Sequence, residues 1–201
     1  MKFRYTKKIR DSFLPIENTT VFLDIVGFTK LGDNLQMRRA VQELHTSLSD
    51  VFRPYKWDER RKDNELIMIP TGDGYAIAFC DEIEDDRIME LTAKFYETFT
   101  KSFAVRIGIS KGPNLIFQDL NDKLNIIGWG INRAQRVMAV AEKNQILCDS
   151  SIAENLIKHG KGEGFKKFKE IEVKHTEKIS TFNYCSKNVG ITPKFISSPK
   201  K

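Results

Sequence analysis

Asp24 and Asp73 are the residues of this chain best suited to do chemistry. Asp24 is the single charge in Val21-Phe22-Leu23-Asp24-Ile25-Val26-Gly27-Phe28-Thr29, and Asp73 sits in Pro70-Thr71-Gly72-Asp73-Gly74-Tyr75-Ala76-Ile77-Ala78-Phe79. In each segment one aspartate joins an apolar, strand-like run to a glycine-containing turn. Two carboxylates at strand ends make a hard-oxygen site suited to Mg²⁺ or Mn²⁺, ions that favour carboxylate and carbonyl ligands. Gly27-Phe28-Thr29 follows Asp24 and could open a helix whose free N–H groups hold phosphates. Paired metals beside a phosphate cradle point to phosphoryl transfer. An unpaired carboxylate in an apolar strand is costly to bury, so a purely structural reading explains Asp24 poorly. Asp73 alone could be a turn residue, and Gly27 alone marks only a tight turn.

These groups need elements to position them. Residues 21–26 read as a buried strand. Met37, Val41, Leu44, Leu48, Val51 and Phe52 recur at helical spacing, and the polar stretch from Pro54 to Asn64 predicts a loop. Leu66–Ile69 and Tyr75–Phe79 flank Thr71-Gly72-Asp73-Gly74, which predicts a β-hairpin with the aspartate at its tip. Ile88, Leu91, Phe95 and Phe99 predict a second amphipathic helix, and residues 103–109 a strand. A short strand or loop around Leu115–Phe117 leads towards Gly128, a helix spans Ile131 to Ala141, and Gln145–Cys148 returns as a strand. Glu170–Lys174 and Thr181–Cys185 predict the last two strands. Gly160-Lys161-Gly162-Glu163-Gly164 lacks the Gly-Lys-Ser/Thr of a phosphate loop and reads as a surface loop. The series βαββαββαβ–ββ fits neither a Rossmann fold nor a barrel. It predicts an α+β fold with a central, mostly antiparallel sheet flanked by helices.

At 201 residues, 40% hydrophobic and 30% charged, the chain suits one globular domain. The expected division is an N-terminal extension over 1–19, a domain over 20–186 and a flexible basic tail over 187–201. No apolar run approaches the roughly 20 residues a membrane helix needs, and the basic N-terminus lacks the core of a signal peptide. A cytoplasmic protein with no stable membrane insertion is expected. Cys80, Cys148 and Cys185 are odd in number and widely spaced, which predicts buried free thiols. His45, His159 and His175 lack metal-ligand spacing. The net charge of +6 is concentrated between Lys158 and Lys169 and in the tail. Phe165 and Phe168 lie among those lysines, but their i, i+3 spacing reads as a packing face, so no nucleic-acid partner is expected.

Phe22-Leu23-Asp24-Ile25-Val26-Gly27-Phe28-Thr29, Gly72-Asp73-Gly74, Val105-Arg106-Ile107-Gly108-Ile109 and Asn132-Arg133-Ala134-Gln135-Arg136-Val137 occur in that order. The order resembles the class III nucleotide cyclases, the family of adenylate and guanylate cyclases, from about Thr20 to Asn183. The resemblance implies a homodimer with active sites at the subunit interface. The implied reaction turns a nucleoside triphosphate into a 3′,5′-cyclic monophosphate and pyrophosphate. It further implies two Mg²⁺ or Mn²⁺ ions per site on Asp24, Asp73 and the carbonyl of Ile25. Gly27, Phe28 and Thr29 would offer N–H groups to the triphosphate. Asn132 would orient the ribose and Arg136 would meet charge at the α-phosphate of the opposite subunit's site. The pair lies one helical turn apart, and a guanidinium forks well onto phosphate oxygens. A lysine for the terminal phosphates is expected near the C-terminal hairpin, with Lys174 and Lys178 competing because Lys174-His175-Thr176 replaces the family's Lys-Gly-Lys pattern.

The family reads adenine with a lysine four residues before the second aspartate and an aspartate seven before the asparagine. Here those positions hold Ile69 and Asn125, and Ile69 does not match the glutamate of guanine-selective members either. An apolar side chain cannot hydrogen-bond a purine edge, whereas Asn125 both donates and accepts, as the edge of uracil or cytosine requires. The short form and the Pro-Thr-Gly-Asp-Gly hairpin also look like the bacterial pyrimidine cyclases of anti-phage defence, which make a cyclic pyrimidine messenger. Tyr55 or Trp57 could narrow the base pocket. UTP is therefore favoured as substrate, CTP next. The alternatives are an adenylate or guanylate cyclase in signalling and a catalytically inactive nucleotide-binding dimerisation module.

Overall fold

Strand β1 (Ile16–Ile25) sets the layers by alternation. Val21, Leu23 and Ile25 enter the main core, while Phe22 enters a second cluster on the other face of the sheet. A strand buried on both faces needs cover on both. The computed structural model describes residues 14–56, 66–80, 83–173, 177–186 and 189–191. On the first face lie α1 (Asn34–Lys56), α2 (Asp85–Phe99) and α4 (Ser150–Lys158). Their Leu44, Leu48, Phe52, Ile88, Phe95, Phe99, Ile152 and Leu156 pack with the odd-numbered side chains of β1. On the second face α3 (Trp129–Ala139) packs Ala134 and Met138 against Phe22 and Ala76.

The other strands are β2 (Leu66–Pro70), β3 (Gly74–Phe79), β4 (Val105–Gln118), β5 (Leu124–Gly128), β6 (Ile146–Asp149), β7 (Phe165–Val173) and β8 (Glu177–Tyr184). The sheet runs β2-β3-β1-β4-β6-β8-β7, with β5 hydrogen-bonded to the far end of β4. Every pairing is antiparallel except β4 with β6. The expected α+β architecture with a mostly antiparallel central sheet is therefore what forms. Gly108 is central to it. A Cβ there would stand 2.2 Å from the Met138 nitrogen and 2.4 Å from the Ala134 carbonyl oxygen, so only glycine lets α3 lie directly on β4.

Four local expectations change. Pro54 lies inside α1, which runs on to Lys56. The segment at 115–117 is not a separate element but the continuation of β4, and the next strand is 124–128. Residues 150–158 form α4, a helix the periodicity did not predict. Asp149 caps it by accepting from the Ser151 N–H at 3.1 Å. Phe165 and Phe168 lie on a strand with an irregularity between Lys167 and Glu170, not on a helical face. Phe165 packs against Tyr184 with ring centroids 4.9 Å apart, and Phe168 packs with the Val137–Ile179 cluster. Cys80, Cys148 and Cys185 are free thiols, as expected, but only Cys148 is buried and the other two are partly exposed. No described helix is long and apolar enough to cross a membrane.

Candidate active site

The end of β1 brings three charged groups together. Asp24 lies directly across from Gly74 on one side and from Arg106 on the other. Arg106 donates to Asp24 Oδ2 through Nε at 3.0 Å and through Nη2 at 2.5 Å. The β2–β3 hairpin holds Asp73 alongside, because its carbonyl accepts the Ile25 N–H at 3.1 Å while Thr71 N–H closes the turn onto the Gly74 carbonyl at 3.0 Å. The two aspartates thus meet at the sheet's end, as the hairpin prediction requires.

Asp24 is under electrostatic stress. Burial pushes its carboxyl pKa up, and the neighbouring Asp73 adds to the rise against the lowering pull of the Arg106 hydrogen bonds. Its Oδ1 is buried with no hydrogen-bond partner among the described residues, a costly arrangement unless something else binds there. A divalent cation between the carboxylates answers both problems, so the residues present fit a metal. Among the described residues no three His, Cys, Asp or Glu side chains gather. The donor set is two carboxylates and backbone oxygens, which suits Mg²⁺ or Mn²⁺ and not zinc.

Next to Asp24 the chain turns sharply. Gly27 adopts a left-handed conformation (φ 75°), and a single 3₁₀ turn follows over Phe28–Lys30. The turn's own hydrogen bonds begin with Lys30 N–H to the Gly27 carbonyl at 2.9 Å. The N–H groups of Gly27, Phe28 and Thr29 precede that bond. Asp24, Ile25, Gly27, Phe28, Thr29 and Asp73 line one cavity of about 270 Å³ together with Val26, Arg106, Ala141 and Lys143. A larger groove of about 440 Å³ between α1 and the β2–β3 hairpin has mostly apolar walls and no carboxylate.

The remaining candidates stand elsewhere. Asn132 is exposed and Arg136 half-buried on α3, whose Ala134, Val137 and Met138 face inward, and neither lines the Asp24 cavity. Ile69 packs into the apolar clusters that contain Ala76, Ile67 and Ile126. Asn125 alternates with Ile126, so it points to the opposite face of β5, and its Oδ1 accepts the Ile126 N–H at 2.8 Å. The two base-reading candidates therefore do not share one face in this chain. Lys178 is exposed on β8, across from Glu172. Lys174, Trp57 and the Tyr55 side chain lie outside the described residues.

Sequence reasoning missed Arg106 and Lys143. Arg106 left a signal: it is the single charge in Phe103–Ile109, as Asp24 is in its own strand, and the two are cross-strand partners. Lys143 left none, being carried to the cavity by the turn after α3.

A family model described as the adenylate and guanylate cyclase catalytic domain matches residues 15–185. A curated relative, the adenylate cyclase of Streptomyces griseus, is 25% identical over 150 residues, covering 69% of this chain and 32% of that protein. The chain thus spans about a third of that relative's length. Solved structures share the fold. The adenylyl cyclase CyaB from P. aeruginosa superposes with a TM-score of 0.71 at 15% identity, covering 89% of this chain and 98% of its own. The guanylate cyclase domain of RhGC from Catenaria anguillulae, in complex with GTP, gives 0.68 at 20% identity, covering 87% and 99%.

Proposed function

The chain belongs to the adenylate and guanylate cyclase catalytic-domain family, and on that premise we propose that it is a nucleotide cyclase acting on a pyrimidine triphosphate, UTP before CTP. One observation carries the catalytic part: the buried Oδ1 of Asp24, which has no hydrogen-bond partner among the described residues, beside Asp73 in a cavity whose wall is the Gly27–Thr29 turn. Asp24, Asp73 and the Ile25 carbonyl would hold two ions. Bound there, Mg²⁺ or Mn²⁺ supplies acidification of the ribose 3′-hydroxyl and charge neutralisation at the phosphates.

The chain's own groups do the rest. The N–H groups of Gly27, Phe28 and Thr29 bind phosphate oxygens. Asn132 hydrogen-bonds the ribose and turns its 3′-oxygen in line with the α-phosphorus. The 3′-hydroxyl gives its proton to solvent water, its oxygen bonds the α-phosphorus, and the bond from the α-phosphorus to the bridging β-phosphate oxygen breaks to release pyrophosphate. Arg136 stabilises the charge that develops on the α-phosphate.

Asn132 and Arg136 do not reach the Asp24 cavity of their own chain, so the reading requires a homodimer in which α3 serves the partner's site. Leu115, Phe117, Ile127 and Trp129, all exposed and set on or beside the β4–β5 hairpin next to α3, supply an apolar surface for that contact. Mixing Asp24→Ala with Arg136→Ala subunits should restore one intact site per heterodimer. No recovery, with subunit exchange confirmed, would overturn catalysis across the interface.

Base choice rests on the absence of the family's charged adenine pair, since its positions hold Ile69 and Asn125. The test is incubation with Mn²⁺ and equal ATP, GTP, CTP and UTP, with the cyclic products resolved by mass. Cyclic UMP should dominate, with cyclic CMP second. Dominant cyclic AMP or GMP would overturn the pyrimidine reading and keep the cyclase. Absence of any cyclic product would favour an inactive nucleotide-binding module. The likeness of the Pro-Thr-Gly-Asp-Gly hairpin extends the proposal to an anti-phage messenger. In that case a host expressing the wild-type chain should restrict phage plaques and one expressing Asp73→Ala should not.

A further inference from the structure

The cavity at Asp24 holds two cations, and they are differently engaged. Arg106 is committed to Asp24 Oδ2 by two hydrogen bonds. Lys143 lines the same cavity, is exposed, and makes no ion pair among the described residues. It comes neither from β8 nor from the β7–β8 turn, where the lysine for the terminal phosphates was expected.

Lys143 is also held in place by more than chance. It sits at the tip of the turn that joins α3 to β6. The next residue, Asn144, adopts a left-handed conformation (φ 60°), donates its N–H to the Val105 carbonyl at 2.8 Å and accepts the Val105 N–H on Oδ1 at 3.1 Å. The Tyr96 hydroxyl donates to the Asn144 carbonyl at 3.2 Å. Buried Gln145 closes the turn from the other side: its Oε1 accepts the Glu142 N–H at 2.7 Å, its N–H reaches the Glu142 carbonyl at 3.0 Å, and its Nε2 donates to Asn183 Oδ1 at 2.9 Å. Val105 directly precedes Arg106. The clamp therefore fixes Lys143 beside the Asp24–Arg106 pair and within the cavity that the Gly27–Thr29 turn borders. Asn144 is one of two non-glycine residues with positive φ among those described. Such backbone persists where surrounding contacts over-determine it, often near function.

We propose that Lys143 binds the terminal phosphates of the nucleotide, and afterwards the pyrophosphate leaving group, from the same subunit that supplies Asp24 and Asp73. An ammonium is a compact point charge with three donors and needs no fixed fork geometry, which suits the mobile end of a polyphosphate. The contact is made equally before and during bond formation, since the β- and γ-phosphates keep most of their charge throughout. It should lower KM and leave kcat nearly alone.

This rests on the nucleotide-cyclase reading above, and the test separates the two. The full-length protein is titrated calorimetrically with inorganic tripolyphosphate in the absence of metal, as wild type, Lys143→Gln, Lys143→Arg and the control Lys94→Gln on the exposed side of α2. Loss of one charge-assisted contact should weaken binding by roughly tenfold in Lys143→Gln, with most of it regained in Lys143→Arg and none lost in Lys94→Gln. UMP, which has no terminal phosphates, should bind all four alike. In turnover, Lys143→Gln should raise KM and weaken inhibition by pyrophosphate by the same factor. Equal tripolyphosphate binding by wild type and Lys143→Gln would overturn the proposal, as would a wild type that binds none. Either result would leave the cyclase reading standing if cyclic product still forms. Absence of cyclic product from a wild type that binds tripolyphosphate through Lys143 would overturn that reading alone.

Discussion

Asp24 and Asp149 are two carboxylates at the ends of β1 and β6, the strands on either side of β4 in one sheet, and burial raises the pKa of both. Asp149 is the more deeply buried, with no exposed side-chain surface against 15% for Asp24. Yet Asp149 is satisfied. It accepts Ser110 Oγ at 2.6 Å, the Ser151 N–H and hydroxyl, and Arg133 Nη2 at 3.2 Å. Asp24 has one oxygen held by Arg106 and the other without a hydrogen-bond partner among the described residues, with Asp73 alongside. Burial alone therefore does not mark a functional carboxylate; an unmet bonding requirement beside a second like charge does.

The comparison breaks most easily on stability. Asp149→Ala removes the carboxylate that buried Ser110 and half-buried Arg133 both bond, together with the cap of α4, and should cost about 3 kcal/mol or more. For a chain of this size the thermal midpoint should fall by roughly 6 to 12 °C. Asp24→Asn keeps the side-chain shape, and the lost ion pair with Arg106 is offset by removal of a mostly buried charge, so it should cost about 1 kcal/mol or less. Equal midpoints for the two variants would erase the distinction.

Metal addition sharpens it. Mn²⁺ at a hundred times its dissociation constant should stabilise the wild type by about 2.7 kcal/mol, a rise of roughly 5 °C or more by differential scanning fluorimetry. Asp24→Asn and Asp73→Asn should lose that rise, and a conservative change at Asp149 should keep it if the variant folds. A full Mn²⁺ shift in Asp24→Asn would remove the metal from this site.

The smallest effect is in pH. Because folding raises the Asp24 pKa above 3.8, the folded state holds the proton more tightly, and stability falls as pH rises through that window. Asparagine mimics the neutral acid and does not titrate. Without metal, the midpoint of Asp24→Asn relative to wild type should therefore climb as pH increases above the ordinary carboxylate range. Asp149 is present in both proteins and cancels. A relative midpoint that stays flat would show that Asp24 carries no such penalty.

Much of this was legible in the chain because the signals are local. A lone aspartate in an apolar strand, a Gly-Asp-Gly between two apolar runs and the spacing of Leu44, Leu48 and Phe52 each announce an element without help from distant residues. The helix over Ser150–Lys158 was missed because nine residues give little periodicity. Its strongest signal is Asp149, which also ends β6. Pro54 reads as a stop, yet α1 continues through it to Lys56. Arg106 and Lys143 were missed for another reason: each acquires its meaning from a residue more than eighty positions away, Asp24 for one and the 24–29 wall for the other. Asn132 and Arg136 are legible as a pair on one helical turn, but the role proposed for them needs a second subunit, which one chain's periodicity does not describe.

If Asp24 and Asp73 form the catalytic centre of a cyclase, neither can be neutralised without loss of product. The most direct measurement is a time course with Mn²⁺ and UTP, following cyclic nucleotide by mass and pyrophosphate by a coupled assay. Wild type, Asp24→Asn and Asp73→Asn are compared side by side, with circular dichroism confirming that all three are folded. The account predicts equimolar cyclic UMP and pyrophosphate from the wild type and background from both variants. Undiminished product from either folded variant would contradict it.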